Sequence, residues 1–82
     1  MIEILYWTAS WCGPCKIMRP IVAELQAEGH KITKIDVDQE REKANLYRIS
    51  AMPTFIVLKN GSEQKRFVGA RSKAQLLADL EG

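Results

Sequence analysis

Two cysteines and one histidine are all the sulfhydryl and imidazole that these 82 residues carry. The usual four-ligand structural zinc site cannot be built from them alone. Nor can two cysteines hold together a disulfide-dense secreted scaffold. Charge of one sign is scarce as well: twelve Lys and Arg are scattered among ten Asp and Glu, a formal net charge of +2. That is poor support for a nucleic-acid or membrane-surface binder. No apolar run approaches the ~20 residues of a membrane span. The chain has no internal repeat, low-complexity tract or linker. Its opening stretch, Met1 to Trp7, lacks a basic leader and a small-residue cleavage site, so it does not read as a signal peptide. The expected location is therefore the reducing cytoplasm, where a cysteine pair is more often reactive or metal-binding than structural.

What is present fits one globular domain over residues 1–82, with 46% hydrophobic and 27% charged residues. A chain this short buries only about 60–65% of its unfolded surface, so its core is thin. Residues 2–7 read as a buried strand and Thr8 to Gly13 as a turn. Pro14 suits the first turn of a helix, where its missing N–H is not needed. Ile17, Met18, Ile21, Val22 and Leu25 form that helix's apolar stripe; Pro20 should kink it and Gly29 end it. Lys31 to Val37 reads as a second strand and Asp38 to Ile49 as a short exposed helix. Thr54 to Leu58 is a buried strand, Asn60-Gly61 a hairpin turn, and Gln64 to Val68 its partner strand. Ser72-Lys73-Ala74-Gln75 matches a capping box, ahead of a final helix striped by Leu76, Leu77 and Leu80. The order is β-α-β-α-β-β-α. The first two strands, joined through a helix, should be parallel and the last two antiparallel. An α/β fold with a four-stranded mixed sheet flanked by helices follows.

The informative segment is Trp11-Cys12-Gly13-Pro14-Cys15, at a strand-to-helix junction. Three-residue spacing on a first helical turn brings two sulfurs within bonding reach. The helix N-terminus offers unpaired N–H groups and a positive dipole end, so the Cys12 thiol should ionise below its free value of about 8.5. Cys15, one turn inside, should be the less exposed. Two roles follow: Cys12 attacks a target disulfide, and Cys15 then attacks Cys12 and releases the reduced target. A purely structural disulfide is the bland alternative, weak because so small a ring constrains the unfolded chain little. Half of a zinc site completed by another chain is a second alternative. His30, a third ligand on paper, lies at the far end of the same helix, roughly 20 Å away.

Trp11-Cys12-Gly13-Pro14-Cys15-Lys16 resembles the active-site motif of thioredoxins. Pro20 falls where they carry a helix-kinking proline, and Met52-Pro53-Thr54 is similar to their Ile-Pro-Thr loop. Lys59-Asn60-Gly61 and Val68-Gly69-Ala70 are similar to their hairpin turn and final glycine loop. The likeness runs from about Ile2 to Leu80 and implies the thioredoxin-like fold in a minimal form without the N-terminal strand and helix. It also implies a cis Pro53 facing the cysteines, with the Met52 backbone free to pair with an extended substrate segment. Trp11, Gly13, Pro14, Met52, Pro53, Val68, Gly69 and Ala70 would then form a mostly apolar docking rim around Cys12. Four of these have a plainer reading, whereas Trp11, in a turn ahead of the cysteines, is harder to explain as core. Pro53 could open a strand, Met52 and Val68 could be core, and Gly69 could simply end a strand.

The implied activity is reduction of protein disulfides by a monomer that needs no bound cofactor. A thioredoxin reductase drawing on a nicotinamide cofactor would re-reduce it, and ribonucleotide reductase is one client that the likeness suggests. Three rivals stand beside this. They are a glutathione-dependent glutaredoxin-like reductase, an accessory subunit whose sulfur chemistry is dispensable, and a dimer bridged by metal through the cysteines. The chain also departs from the family. Tyr6 stands where thioredoxins commonly carry a buried aspartate thought to help deprotonate the second cysteine, which leaves the matching Lys34 without that partner. A phenol, ordinarily titrating near 10, is no base at neutral pH. Slower or more alkaline activation of Cys15 is expected, unless Tyr6 is merely a core aromatic. Thr8 replaces a common tryptophan. Lys65-Arg66 and Arg71 to Lys73 read as solvated faces that could steer acidic partners.

Overall fold

A computed structural model describes residues 1–81. Its elements are β1 (Ile2–Thr8), α1 (Cys15–Ala27), β2 (Ile32–Asp36), α2 (Arg41–Leu46), β3 (Thr54–Lys59), β4 (Ser62–Val68) and α3 (Lys73–Glu81). The sheet order is β2-β1-β3-β4, with β1 parallel to β2 and antiparallel to β3, and β3 antiparallel to β4. The β-α-β-α-β-β-α order and the mixed sheet are those expected. The two central strands have no solvent face. Ile4 to Thr8 and Thr54 to Leu58 are buried throughout, which explains their near-continuous apolar runs.

Both sheet faces are covered. On one, Met18, Val22 and Leu25 of α1 and Leu76 and Leu80 of α3 pack on Ile4, Tyr6, Phe55 and Val57. On the other, Ala44 of α2 and the partly buried Tyr47 close over Leu5, Trp7, Ile35 and Ile56. The turns follow local chemistry. Asn60 and Gly61 both take positive φ, 53° and 85°, as a two-residue hairpin of the primed type requires. The capping box is formed: the Gln75 amide donates to Ser72 Oγ at 3.1 Å, and the Ser72 amide to Gln75 Oε1 at 2.9 Å.

Two expectations are corrected. The helix expected over 38–49 spans only Arg41–Leu46. At its front the Asp38 amide donates to Asp36 Oδ1 at 2.8 Å, a side-chain turn that competes with helix. At its back Arg48 takes a positive φ of 55°. Within the basic run Arg71 to Lys73, Arg71 departs from the solvated face expected, while Lys73 remains partly open to solvent. Arg71 is half-buried against Asp79 and Phe67, and Lys73 binds Glu24 and Glu28. On β4, Arg66 is paired with Glu63.

Candidate functional site

β1 delivers the chain to the site and α1 receives it. Past Thr8, Ala9 is buried and its carbonyl accepts the Cys12 amide at 3.1 Å, closing a tight turn. Pro14 caps α1 with helical torsions, φ −59° and ψ −25°. Cys15 is the first residue of the helix, so its amide has no partner within α1. That amide donates to Cys12 Sγ at 3.3 Å. The two sulfurs are joined in a disulfide with Cα atoms 5.3 Å apart. Cys12 is 4% exposed and Cys15 fully covered, so the expected order of exposure holds while the oxidised leading sulfur shows only a small face. The first turn of α1 carries no acidic side chain, and Lys16 follows Cys15 directly.

The rim residues gather from three loops. Met52 packs on the cluster of Ala9, Cys12 and Cys15. The Met52–Pro53 bond is cis. The Gly69 amide donates to the Pro53 carbonyl at 2.8 Å, which ties the last loop to the cis-proline loop. Gly69 also ends β4 with φ 103°, a conformation that glycine adopts at little cost. Val68 is 65% exposed and Trp11 is 64% exposed, so neither belongs to the core. Gly13, Pro14 and Ala70 are exposed as well.

Tyr6 lies in the core with its hydroxyl turned toward the helix tip. Its ring is fully buried and stacked on Phe55 at 5.1 Å. Its hydroxyl lies 3.4 Å from the Cys15 carbonyl oxygen and 3.4 Å from Thr8 Oγ1. Thr8 is buried beside it. Lys34 pairs with Tyr6 across the β1–β2 ladder but stays exposed. With Arg19, Val22 and Gln26 it lines a shallow pocket that also borders Tyr6. No bond joins Lys34 to the cysteines among the described residues.

One residue of the site was missed. Asp38 accepts a hydrogen bond from Trp11 Nε1 at 2.9 Å and so fixes the exposed indole. The two are 27 positions apart, and no local pattern links them. His30 caps the far end of α1, its amide donating to the Leu25 carbonyl at 3.0 Å. No group of three or more His, Cys, Asp or Glu that could hold a metal stands together among the described residues. No helix among them is long and apolar enough to cross a membrane.

Residues 2–82 match the family model described as Thioredoxin. A thioredoxin H-type of Fagopyrum esculentum is 45% identical over 76 residues, covering 90% of this chain. The chain spans 65% of that relative's length, less than two thirds. A bifunctional thioredoxin reductase/thioredoxin of Mycobacterium leprae (strain TN) is 41% identical over 78 residues, 92% of this chain and 17% of that one. The X-ray structure of Fasciola hepatica thioredoxin superposes with a TM-score of 0.87 at 38% identity, covering 98% of this chain and 78% of that one. A cysteine pair at the tip of α1, a sheet of matching topology and a likeness in sequence along the whole described chain agree: this chain belongs to the thioredoxin family.

Proposed function

We propose that residues 1–82 act as one thiol–disulfide oxidoreductase unit that reduces protein disulfides through Cys12 and Cys15. One observation carries the reading: the Cys12–Cys15 bond sits at the N-terminus of α1, and the Cys15 amide donates to Cys12 Sγ at 3.3 Å. In the reduced protein that amide and the positive end of the helix favour a Cys12 thiolate over a thiol. The thiolate attacks one sulfur of a client disulfide, and the other client sulfur leaves as a thiolate. Cys15 then loses its proton and attacks Cys12 Sγ. The client's second sulfur leaves, and the Cys12–Cys15 bond forms. Two electrons have passed to the client, whose two thiolates take up the proton from Cys15 and one from solvent. Cys12 is the nucleophile, Cys15 the resolving thiol, and Trp11, Met52, Pro53, Val68, Gly69 and Ala70 the surface that receives the client. Gly13 and Pro14 shape the turn between the sulfurs, and Tyr6 and Lys34 stand behind it. No bound cofactor enters these steps.

The cycle needs an external donor. We assign that role to a thioredoxin-reductase-type enzyme, supported by the Mycobacterium leprae relative whose name joins a thioredoxin reductase to a thioredoxin. The working site is then the cytoplasm, the working form a monomer, and ribonucleotide reductase one disulfide-bearing client to assay. Cys15→Ser provides the test. It should accumulate mixed disulfides with clients at Cys12, and Cys12→Ser should capture none. Alkylation of reduced Cys12 should have its midpoint below the ordinary thiol value of about 8.5. An ordinary midpoint together with no insulin reduction would overturn the proposal. Supplying glutathione in place of a thioredoxin reductase separates the glutaredoxin-like alternative.

A further inference from the structure

A second charged cluster lies outside the sulfur chemistry, where α3, β4 and the loop after Gly69 meet. Asp79 of α3 is 6% exposed, an unusual place for a carboxylate unless it is paired. Its two oxygens are divided between two cations: Arg71 Nη2 lies 2.9 Å from Oδ2, and Lys65 Nζ lies 3.2 Å from Oδ1. Both cations also stand over the ring of Phe67, Arg71 at 3.7 Å and Lys65 at 5.6 Å from its centre. The Arg71 backbone amide faces Met18 Sδ of α1 at 3.4 Å. Arg71 therefore touches three things at once: the first turns of α1, the aromatic ring of β4 and the buried carboxylate of α3. Its own segment begins at Val68, whose neighbour Gly69 bonds to the Pro53 carbonyl.

A buried ion pair is poor evidence for stability, because desolvating two charges offsets most of their attraction. Arg71 meets Asp79 through Nη2 alone and its buried Nε has no partner among the described residues, so it is that one bond together with the flat seat on Phe67 that fixes its place. The exposed end of this geometry is Val68, Gly69 and Ala70. We propose that Arg71, seated by Asp79, is a positioning residue that locks the Val68–Ala70 segment against the cis-proline loop and thereby sets how a protein client docks beside Cys12. The proposal rests on the reading of that segment as docking surface. It goes further by naming what holds the segment in place. Arg71 itself touches no reacting atom.

The test uses the full chain with Arg71→Met, Asp79→Asn and Arg71→Lys. Amide hydrogen exchange is read first, since it needs no activity. Arg71→Met and Asp79→Asn should speed exchange of the Gly69 amide roughly tenfold, with the amides of β1 unchanged. In steady-state reduction of insulin, both should raise KM about three- to tenfold and leave kcat within about twofold, the mark of lost docking rather than lost chemistry. Reduction of a small aromatic disulfide, which does not need the rim, should stay within about twofold in all variants. Arg71→Lys keeps the charge and loses the planar face, so its KM should lie nearer wild type than that of Arg71→Met. It also keeps the test open if Arg71→Met does not fold. Unchanged Gly69 exchange overturns the brace. Faster Gly69 exchange with unchanged KM overturns its role in docking. A wild-type chain that fails to reduce insulin would instead overturn the activity, and Gly69 exchange would still report on the brace.

Discussion

Tyr6 shows how one side chain can be core and site together. Its ring stacks on Phe55, and its hydroxyl lies within reach of the Cys15 carbonyl and the Thr8 hydroxyl, 3.4 Å from each. It meets the peptide of Cys15, not the sulfur. No carboxylate is bonded to either cysteine among the described residues, and buried Asp79 is occupied by Arg71 and Lys65. In the proposed cycle, the group beneath Cys15 as it loses its proton is the Tyr6 phenol and not a bonded carboxylate. Tyr6→Phe keeps the stack and removes only the hydroxyl. It should change stability by about 1 kcal/mol, the usual size for one hydrogen bond. The rate of client reduction and its pH dependence should stay within about twofold, measured by insulin reduction across pH. A tenfold loss, or a new titration near neutrality, would make the hydroxyl a participant. At this scale the pairing of Cys12 with Cys15 was legible because its signal lies in a few adjacent residues, whereas the cis bond at Pro53 was implied only by the family likeness. Asp38 was not legible: its bond to Trp11 depends on where the chain after β2 comes to rest, and only the fold decides that.

Elements divide the same way. Helix and turn ends that are set by neighbouring residues were readable. Ser72 and Gln75 close a reciprocal cap, and Asn60-Gly61 turns the hairpin as its sequence demands. The length of α2 was not readable, because it is cut short by an Asp36 side chain on one side and a left-handed Arg48 on the other. The irregularity between Val57 and Leu58, which shifts the pairing of β4, left no mark in the alternation pattern. Arg71 looked like a surface cation because its partner Asp79 reads as part of a polar helix face until α3 is docked. The cap offers the cleanest test. Ser72→Ala removes the acceptor for the Gln75 amide, which leaves that donor unpaired at the start of a nine-residue helix. The expected loss is about 1 kcal/mol in denaturant unfolding. Loss of less than about 0.3 kcal/mol would mean that α3 is held by its packing and ion pairs and gains nothing from its cap.

For the molecule as a whole, two helices on one sheet face must stay together over a thin core. Lys73 at the start of α3 ties them from outside, 2.7 Å from Glu28 and 3.0 Å from Glu24 of α1. The hydrogen bond from Lys73 holds the Glu28 carboxyl below its ordinary 4.5. The hydrogen bonds to Glu28 and Glu24 hold the Lys73 ammonium above its ordinary 10.5. The signs fix a window. A lowered carboxylate stabilises the fold fully above its unfolded value, and the contribution fades as pH falls through the lower folded one. A raised ammonium stabilises fully below its unfolded value, and the contribution fades as pH rises through the higher folded one. The tie is therefore whole from roughly pH 4.5 to 10.5 and fades progressively outside it, through the folded values. Because these groups are open to solvent, the effect is small and screened by salt. At low salt, Glu28→Gln should unfold at slightly lower denaturant than wild type near about pH 7, and the gap should narrow progressively as the pH falls below the ordinary carboxylate value. Salt near about 0.5 M should close it at neutral pH too. A gap that survives both acid and salt would mean that Glu28 holds α1 to α3 by packing, with charge contributing nothing.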